Sequence, residues 1–306
     1  MPGHVSQLLH TPSRIIAVAG VTLTQLVRMR LFAVLAVFAV GFLGLQFLPY
    51  QGNLGVTYQG IGQLQLIKDI AMGCMRLFSM LFCVAATSLL IPRDSEDRIL
   101  YTILCKPVPR FDYLAGKALG VLALLAVMLV IMDGMMVSIL SVREGSIAVE
   151  LREMLAAQGF HHEEEIAPYM QQLAEAGNTL DVQRSLLAMF LGYGVLTTFT
   201  LLMSCVTSGT IVSMVFAMGV YFIGMFQNLL YSTISAGGYG TGVVMQWVER
   251  CVAVIVPDFS LYSVSDAAAA GAVVSWSLLG ELALIAAGYM LLHLLVATWI
   301  FSRKEF

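Results

Sequence analysis

Residues 92–117 read PRDSEDRILYTILCKPVPRFDYLAGK, a polar run set between two apolar stretches that are each long enough to cross a bilayer. Arg93, Asp94, Glu96, Asp97, Arg98, Lys106, Arg110, Asp112 and Lys117 all fall within it, in a chain that is 59% hydrophobic and only 11% charged. A segment so placed is a short connection held at one membrane face. Its local chemistry predicts a helix along that face, with Asp94 as the cap, Asp97 three residues on in a box-like arrangement, and Pro107 as the stop. Ile99, Leu100, Ile103 and Leu104 make one stripe of that helix, and Arg98, Tyr101, Thr102 and Cys105 make the other. One side can rest on the membrane domain while the other meets a partner, or the helix can simply seal the loop. The residues alone leave both readings open.

The flanks set the fold class. Mean hydropathy is +0.86, and soluble domains carry about a quarter of their residues as charges, so the chain is expected to be an all-α polytopic membrane protein. Six spans are predicted, at 31–48, 70–91, 114–140, 186–206, 211–234 and 273–301. Before them, residues 1–30 form a cytoplasmic N-terminal part. Thr11-Pro12 is a good helix start, and Ile15, Ile16, Ala19, Leu23, Leu26 and Val27 share a face opposite Arg14, Thr24, Gln25 and Arg28. That pattern predicts an amphipathic helix lying in the membrane interface. Residues 31–301 make the transmembrane domain and 302–306 a short tail.

Basic residues orient the chain. With the N-terminus in the cytoplasm, that side holds Arg14, Arg28, Arg30, Arg93, Arg98, Lys106, Arg110, Lys117, Arg303 and Lys304, ten of the sixteen lysines and arginines. The positive-inside rule therefore puts both termini and the 92–117 loop in the cytoplasm. Three segments then face outward: a glycine- and glutamine-rich loop at 49–69, an acidic insertion at 143–185 and a segment at 235–272. In the insertion, 147–157 and 163–176 read as two short helices separated by Gly159. Within the last segment, 243–256 is too short to span with Glu249-Arg250 in it and reads as re-entrant or interfacial.

Most catalytic chemistry is excluded. A phosphate-binding loop needs GxxxxGK followed by Ser or Thr, but Gly116-Lys117 is followed by Ala118 and has Phe111 in place of the first glycine. His162-Glu163 lacks the second histidine of a zincin, the five cysteines form no CxxC pair, and no metal site is expected. No basic footprint points to nucleic acid. Three ionisable residues lie inside apolar spans, Arg76, Asp133 and Glu281. Counted from Arg93, Lys117 and Arg303 at about 1.5 Å per residue they lie roughly 25, 24 and 33 Å deep, in the outer leaflet or its interface. The expectation is that Arg76 pairs with Asp133 and that Glu281 lines the same vestibule, against the alternative that each snorkels to the headgroups.

Residues 101–110 (YTILCKPVPR), Tyr113-Leu114-Ala115-Gly116-Lys117 and Gly120 resemble the connection between the second and third transmembrane helices of ATP-binding-cassette type-2 permeases. The similar group includes the gliding-motility and nitrous-oxide-reductase-maturation exporters. Many of its members have Gly-Thr where this chain has Arg98-Ile99. Pro257-Asp258-Phe259 is similar to the Pro-Asn-Phe signature before the sixth span, with aspartate in place of asparagine. The resemblance implies a coupling helix that docks on a separate ATPase subunit, with Asp94, Glu96, Asp97, Arg98, Tyr101, Pro107, Arg110 and Lys117 at the contact. It implies no cofactor in this chain, ATP and Mg on the partner subunit, and a second permease protomer, identical or related. An extracytoplasmic auxiliary protein and a location in the bacterial inner membrane belong to the same expectation. The rival functions are a secondary transporter, a membrane-embedded enzyme and a non-transporting assembly subunit. The first would show broken helices in matching halves, and the second a convergent nucleophile or metal set.

Overall fold

The computed structural model describes residues 11–45, 61–96, 109–160, 162–177, 179–207, 209–235 and 256–303. Among them the regular elements are helices and there is no strand. In chain order they are α1 (Thr11–Val27), α2 (Arg30–Gly44), α3 (Ile61–Glu96), α4 (Arg110–Ala157), α5 (Glu163–Ala176), α6 (Leu180–Val206), α7 (Thr210–Ser235), a 3-10 turn (Phe259–Tyr262), α8 (Ser265–Ala269) and α9 (Trp276–Arg303). Five helical runs are long and apolar enough to cross a membrane: α3, α4, the run ending in α6, α7 and α9. The number becomes six if α1 and α2, bent by 69° from each other, count as one broken span. The bend has a backbone cause, because Met29 is extended (φ −72°, ψ 129°) and interrupts the hydrogen-bond ladder between the two helices.

The bundle has a hub. α6 is buried without a break from Gly192 to Leu202, and its threonine hydroxyls there bond to its own backbone: Thr197 donates to the Tyr193 carbonyl (2.7 Å) and Thr200 to that of Leu196 (2.8 Å). Around it pack α3, α4 and α9. The outer helices keep an apolar side that nothing among the described residues covers: Ile211, Val215, Phe216, Phe222 and Phe226 on α7, and Leu284, Leu291, Leu292 and Leu295 on α9, are exposed. Apolar surface of that extent needs a bilayer or a partner.

The ends of α9 match the dimensions of a bilayer. Exposed Trp276 lies under the Arg184 guanidinium (5.1 Å) and exposed Trp299 under that of Arg303 (4.2 Å). The two indoles are 23 residues apart, about 34 Å at helical rise, against a hydrocarbon core of ~30 Å. Tryptophan beside arginine at both ends is what a span presents at two membrane–water interfaces. The end where α3 stops and α4 begins is the loop end below, and the end bearing α5 is the insertion end.

Several expectations shift in detail. α1 does not lie across the bundle. Gly116 and Gly120 on α4 face Val18 and Thr22 on α1, four-residue steps on both helices, so the two run side by side for these turns. The approach is so close that a Cβ on either glycine would stand 2.6 Å from the facing β-carbon and 2.9 Å from a backbone carbonyl, that of Ile15 or Ala19. This is the small-residue contact that membrane helices use. α2 ends at Gly44, short of the expected limit at 48, while α3 starts nine residues before the expected 70. The largest difference is in the insertion. Residues 147–157 are not a separate short helix but the last part of α4, which is unbroken for 48 residues. Gly159, at φ +95°, then makes the turn that sends α5 back, and Phe160 meets Tyr169 edge-on at 6.4 Å. The expected re-entrant segment at 243–256 lies outside the described residues apart from Val256, as do residues 304–306 of the tail.

Gly116→Ala should lower the thermal stability of the detergent-solubilised protein by about 1–3 kcal/mol, because backbone has to move. Gly134→Ala, where nothing lies within 4 Å of the added carbon, should instead raise it by roughly 0.5–1 kcal/mol. Melting curves of the two variants check both signs.

Candidate functional site

The polar run of the sequence is gripped at its root. Asp94, in the last turn of α3, is fully buried, and so is Lys117, two turns into α4. Their ion pair closes at 2.6 Å between Nζ and Oδ2. Tyr113, one turn before Lys117 on the same face of α4, donates its hydroxyl to the same carboxylate oxygen at 2.5 Å. Gln25 of α1 completes the set: its Nε2 donates to Asp94 Oδ1 at 3.1 Å, and its Oε1 accepts from Lys117 Nζ at 3.1 Å. The carboxylate thus has a donor on each oxygen, and Lys117 has two acceptors. A buried charge pair persists only when the remaining hydrogen-bonding capacity is met in this way. The glycine contact brings α1 near enough for Gln25 to reach.

α9 joins from the other side. Tyr113 stacks on Phe301 with centroids 6.0 Å apart and planes 24° from parallel, and Arg110 Nη1 approaches the Phe301 carbonyl at 3.5 Å. Four helices, α1, α3, α4 and α9, therefore meet around one carboxylate, two residues beyond the Trp299 interface.

This arrangement corrects one assignment. Asp94 does not cap a helix of the loop; α3 continues through Pro92 to Glu96, and the Asp94 side chain is committed to α1 and α4. Lys117 and Arg110, expected at the partner contact, lie on the far root of the loop, where Lys117 is buried against Asp94. Glu96 is the last residue of α3, and its side chain lies outside the described residues together with Asp97, Arg98, Tyr101 and Pro107. Gln25 and Tyr113 were the members that sequence reasoning missed. The signal for Gln25 was a lone amide among the polar residues of α1; for Tyr113 it was the four-residue spacing to Lys117.

At the insertion end, Arg76, Asp133 and Glu281 do not gather. Arg76 forms an ion pair with Asp266 of α8 and donates to Ser265 Oγ at 2.6 Å, while its carbonyl accepts from the Tyr193 hydroxyl at 2.6 Å. Asp133 instead accepts from Gln183 Nε2 at 3.0 Å, and Glu281 is exposed on α9. The Arg76–Asp133 pair is replaced because depth places residues on a level but does not rotate them toward one another. Asp266 lay in the outward-facing segment 235–272 and was not singled out.

Pro257, Asp258 and Phe259 form a plug. Gly224 of α7 leaves space for it: a Cβ there would sit 2.4 Å from the Pro257 carbonyl and 2.6 Å from the Phe259 ring. Asp258 caps the 3-10 turn, accepting from the Ser260 amide (2.9 Å) and hydroxyl (2.6 Å). Phe259 packs on Tyr221 at 5.3 Å, and Tyr262 seats on Gly192. Burial pushes the Tyr262 hydroxyl up to about 12, aided by nearby Tyr289 and Asp258, so it stays a donor to the Leu282 carbonyl at 3.4 Å. Between Arg76, Tyr193, Tyr221 and Tyr262 remains a cavity of about 20 Å³, room for one water. His293 is buried inside α9, its Nδ1 3.2 Å from Thr198 Oγ1. Among the described residues no group of His, Cys, Asp and Glu is placed to hold a metal ion.

No protein-family model matches the chain, and no curated protein matches it.

Lys117→Met should destabilise the solubilised protein by roughly 3 kcal/mol or more, since Asp94 is left buried without a cation. Adding Asp94→Leu should restore most of the loss, a coupling that a double-mutant cycle of melting temperatures reads directly.

Proposed function

We propose that the chain is the membrane subunit of an ATP-driven exporter, with ATP hydrolysed by a separate subunit that pushes on the 92–117 loop. The observation that carries this reading is the buried Gln25–Asp94–Tyr113–Lys117 set. Both roots of the loop are locked to each other and to α1, so force applied to the loop is passed to α3 and α4 together rather than lost in a flexible hinge. A loop that merely sealed the bundle would need no such bracing. The resemblance of 101–117 to the type-2 permease coupling segment supports the same reading. On it the loop end is cytoplasmic, α5 is extracytoplasmic, and a second permease protomer covers part of the exposed apolar surface of the outer helices.

The mechanism follows from the bracing. Closure of the ATPase pair moves the loop; the ion pair holds α3 and α4 at a fixed angle at their roots; the pair tilts as a unit against α6. Arg98 and Tyr101 present the loop to the ATPase, and Asp94 and Lys117 transmit what the loop receives. His293 favours one other reading, a proton-coupled secondary transporter with a buried imidazole roughly 9 Å inside the Trp299 interface. That reading requires transport without ATP.

Two experiments test the proposal. Arg98→Ala with Tyr101→Ala should leave the protein inserted and able to copurify its ATPase, while ATP hydrolysis loses its dependence on this subunit. Normal coupling in the double variant overturns the assignment. Gln172 on α5 is exposed, and a cysteine substituted there should react with a membrane-impermeant thiol reagent in intact cells; reaction only after lysis reverses the orientation.

A further inference from the structure

We infer that the groove between α4 and α6 on the outer surface of the bundle binds a phospholipid whose headgroup carries a primary ammonium, with an acyl chain in the groove and the ammonium on Asp133. The inference rests on the helices lying in a bilayer, not on the exporter reading, and its failure would leave that reading untouched.

The groove has a volume of about 280 Å³. Its walls are Ala126 and Val130 on α4 and Leu187 and Phe190 on α6, and it ends at the Asp133–Gln183 hydrogen bond. The helices run in opposite directions, so Ala126 faces the level of Phe190 and Asp133 that of Gln183. Seven residues on each helix give it a length of about 10 Å along the bundle axis, the direction in which acyl chains lie. Its rims are open to the surroundings: Val130 is 71% exposed and Leu187 49%.

The polar end is at headgroup depth. Gln183 precedes Arg184, whose guanidinium covers Trp276 at the insertion-end interface. Arg184 is turned toward Asp181 (2.9 Å) and the Val274 carbonyl (3.1 Å), so the charge among the groove's lining residues is the Asp133 carboxylate. A half-buried acceptor facing an apolar slot that opens to lipid suits a cation with hydrogen-bond donors. A primary ammonium brings three N–H groups, a quaternary ammonium has none, and an anionic glycerol headgroup is repelled.

Native mass spectrometry of the full-length protein, equilibrated with phosphatidylethanolamine or phosphatidylglycerol of identical chains, tests this. Phosphatidylethanolamine should be retained about tenfold more strongly, the value of one charge-assisted hydrogen bond. Asp133→Asn should remove that preference while leaving chain binding, and Ala126→Phe, which fills the groove without touching the carboxylate, should lower retention of both lipids. Equal retention by the unaltered protein, or a preference that survives Asp133→Asn, overturns the proposal. So does quantitative cross-linking of two copies through Val130→Cys, which would mean that the groove is covered by a second protomer.

Discussion

One buried ion pair sets the geometry of the loop end. Asp94 and Lys117 are buried from solvent at the loop end, and besides each other they have protein partners: Tyr113 and Gln25 for the carboxylate, Gln25 again for the ammonium. Removing two charges from water is costly, and the return comes only from close, complete pairing. The positions of α1, α3 and α4 are therefore coupled, because moving α3 against α4 would part the charges and moving α1 would strip both of their shared amide partner. The stack of Tyr113 on Phe301 extends the constraint to α9.

The two ends of the bundle are held differently. At the loop end the pair is buried and its partners come from three helices. At the insertion end the corresponding contact, Arg76 to Asp266, is half in solvent: Asp266 is 69% exposed and Arg76 25%. An exposed pair is worth at most about 1 kcal/mol, far less than the cost of breaking the buried one. The plug at 257–262 is seated mainly by shape, through glycines at 192 and 224, and can be lifted without stranding a charge. Motion is thus easier at the end away from the proposed ATPase contact.

Much of the fold was legible because it follows from composition and periodicity. Apolar runs near twenty residues long located the five long apolar helices though not a first span at 31–48 on its own, and the Gly116/Gly120 spacing marked a helix contact without naming the helix on its far side. What could not be read is set by contacts distant in sequence. Asp94 looked like a cap because capping rules consider only neighbours along the chain, whereas its partners come from α4 and α1. The stretch 147–157 looked like a separate helix because its composition turns acidic, yet a helical backbone continues through a change of environment where its residues are good helix formers. Gln25 was placed on the polar face of its helix and given no partner, since a single amide on an amphipathic helix is most simply solvated.

The length of α4 has a mechanical meaning. At 48 residues without proline it is a rod of about 72 Å, more than twice the hydrocarbon thickness of a bilayer, and it is anchored near one tip. Geometry then works as in a lever: a tilt of about 5° at the anchored tip sweeps the Gly159 turn through about 6 Å over that length. A displacement too small to disturb the packing around α6 becomes, at the far tip, a movement as large as a turn of helix.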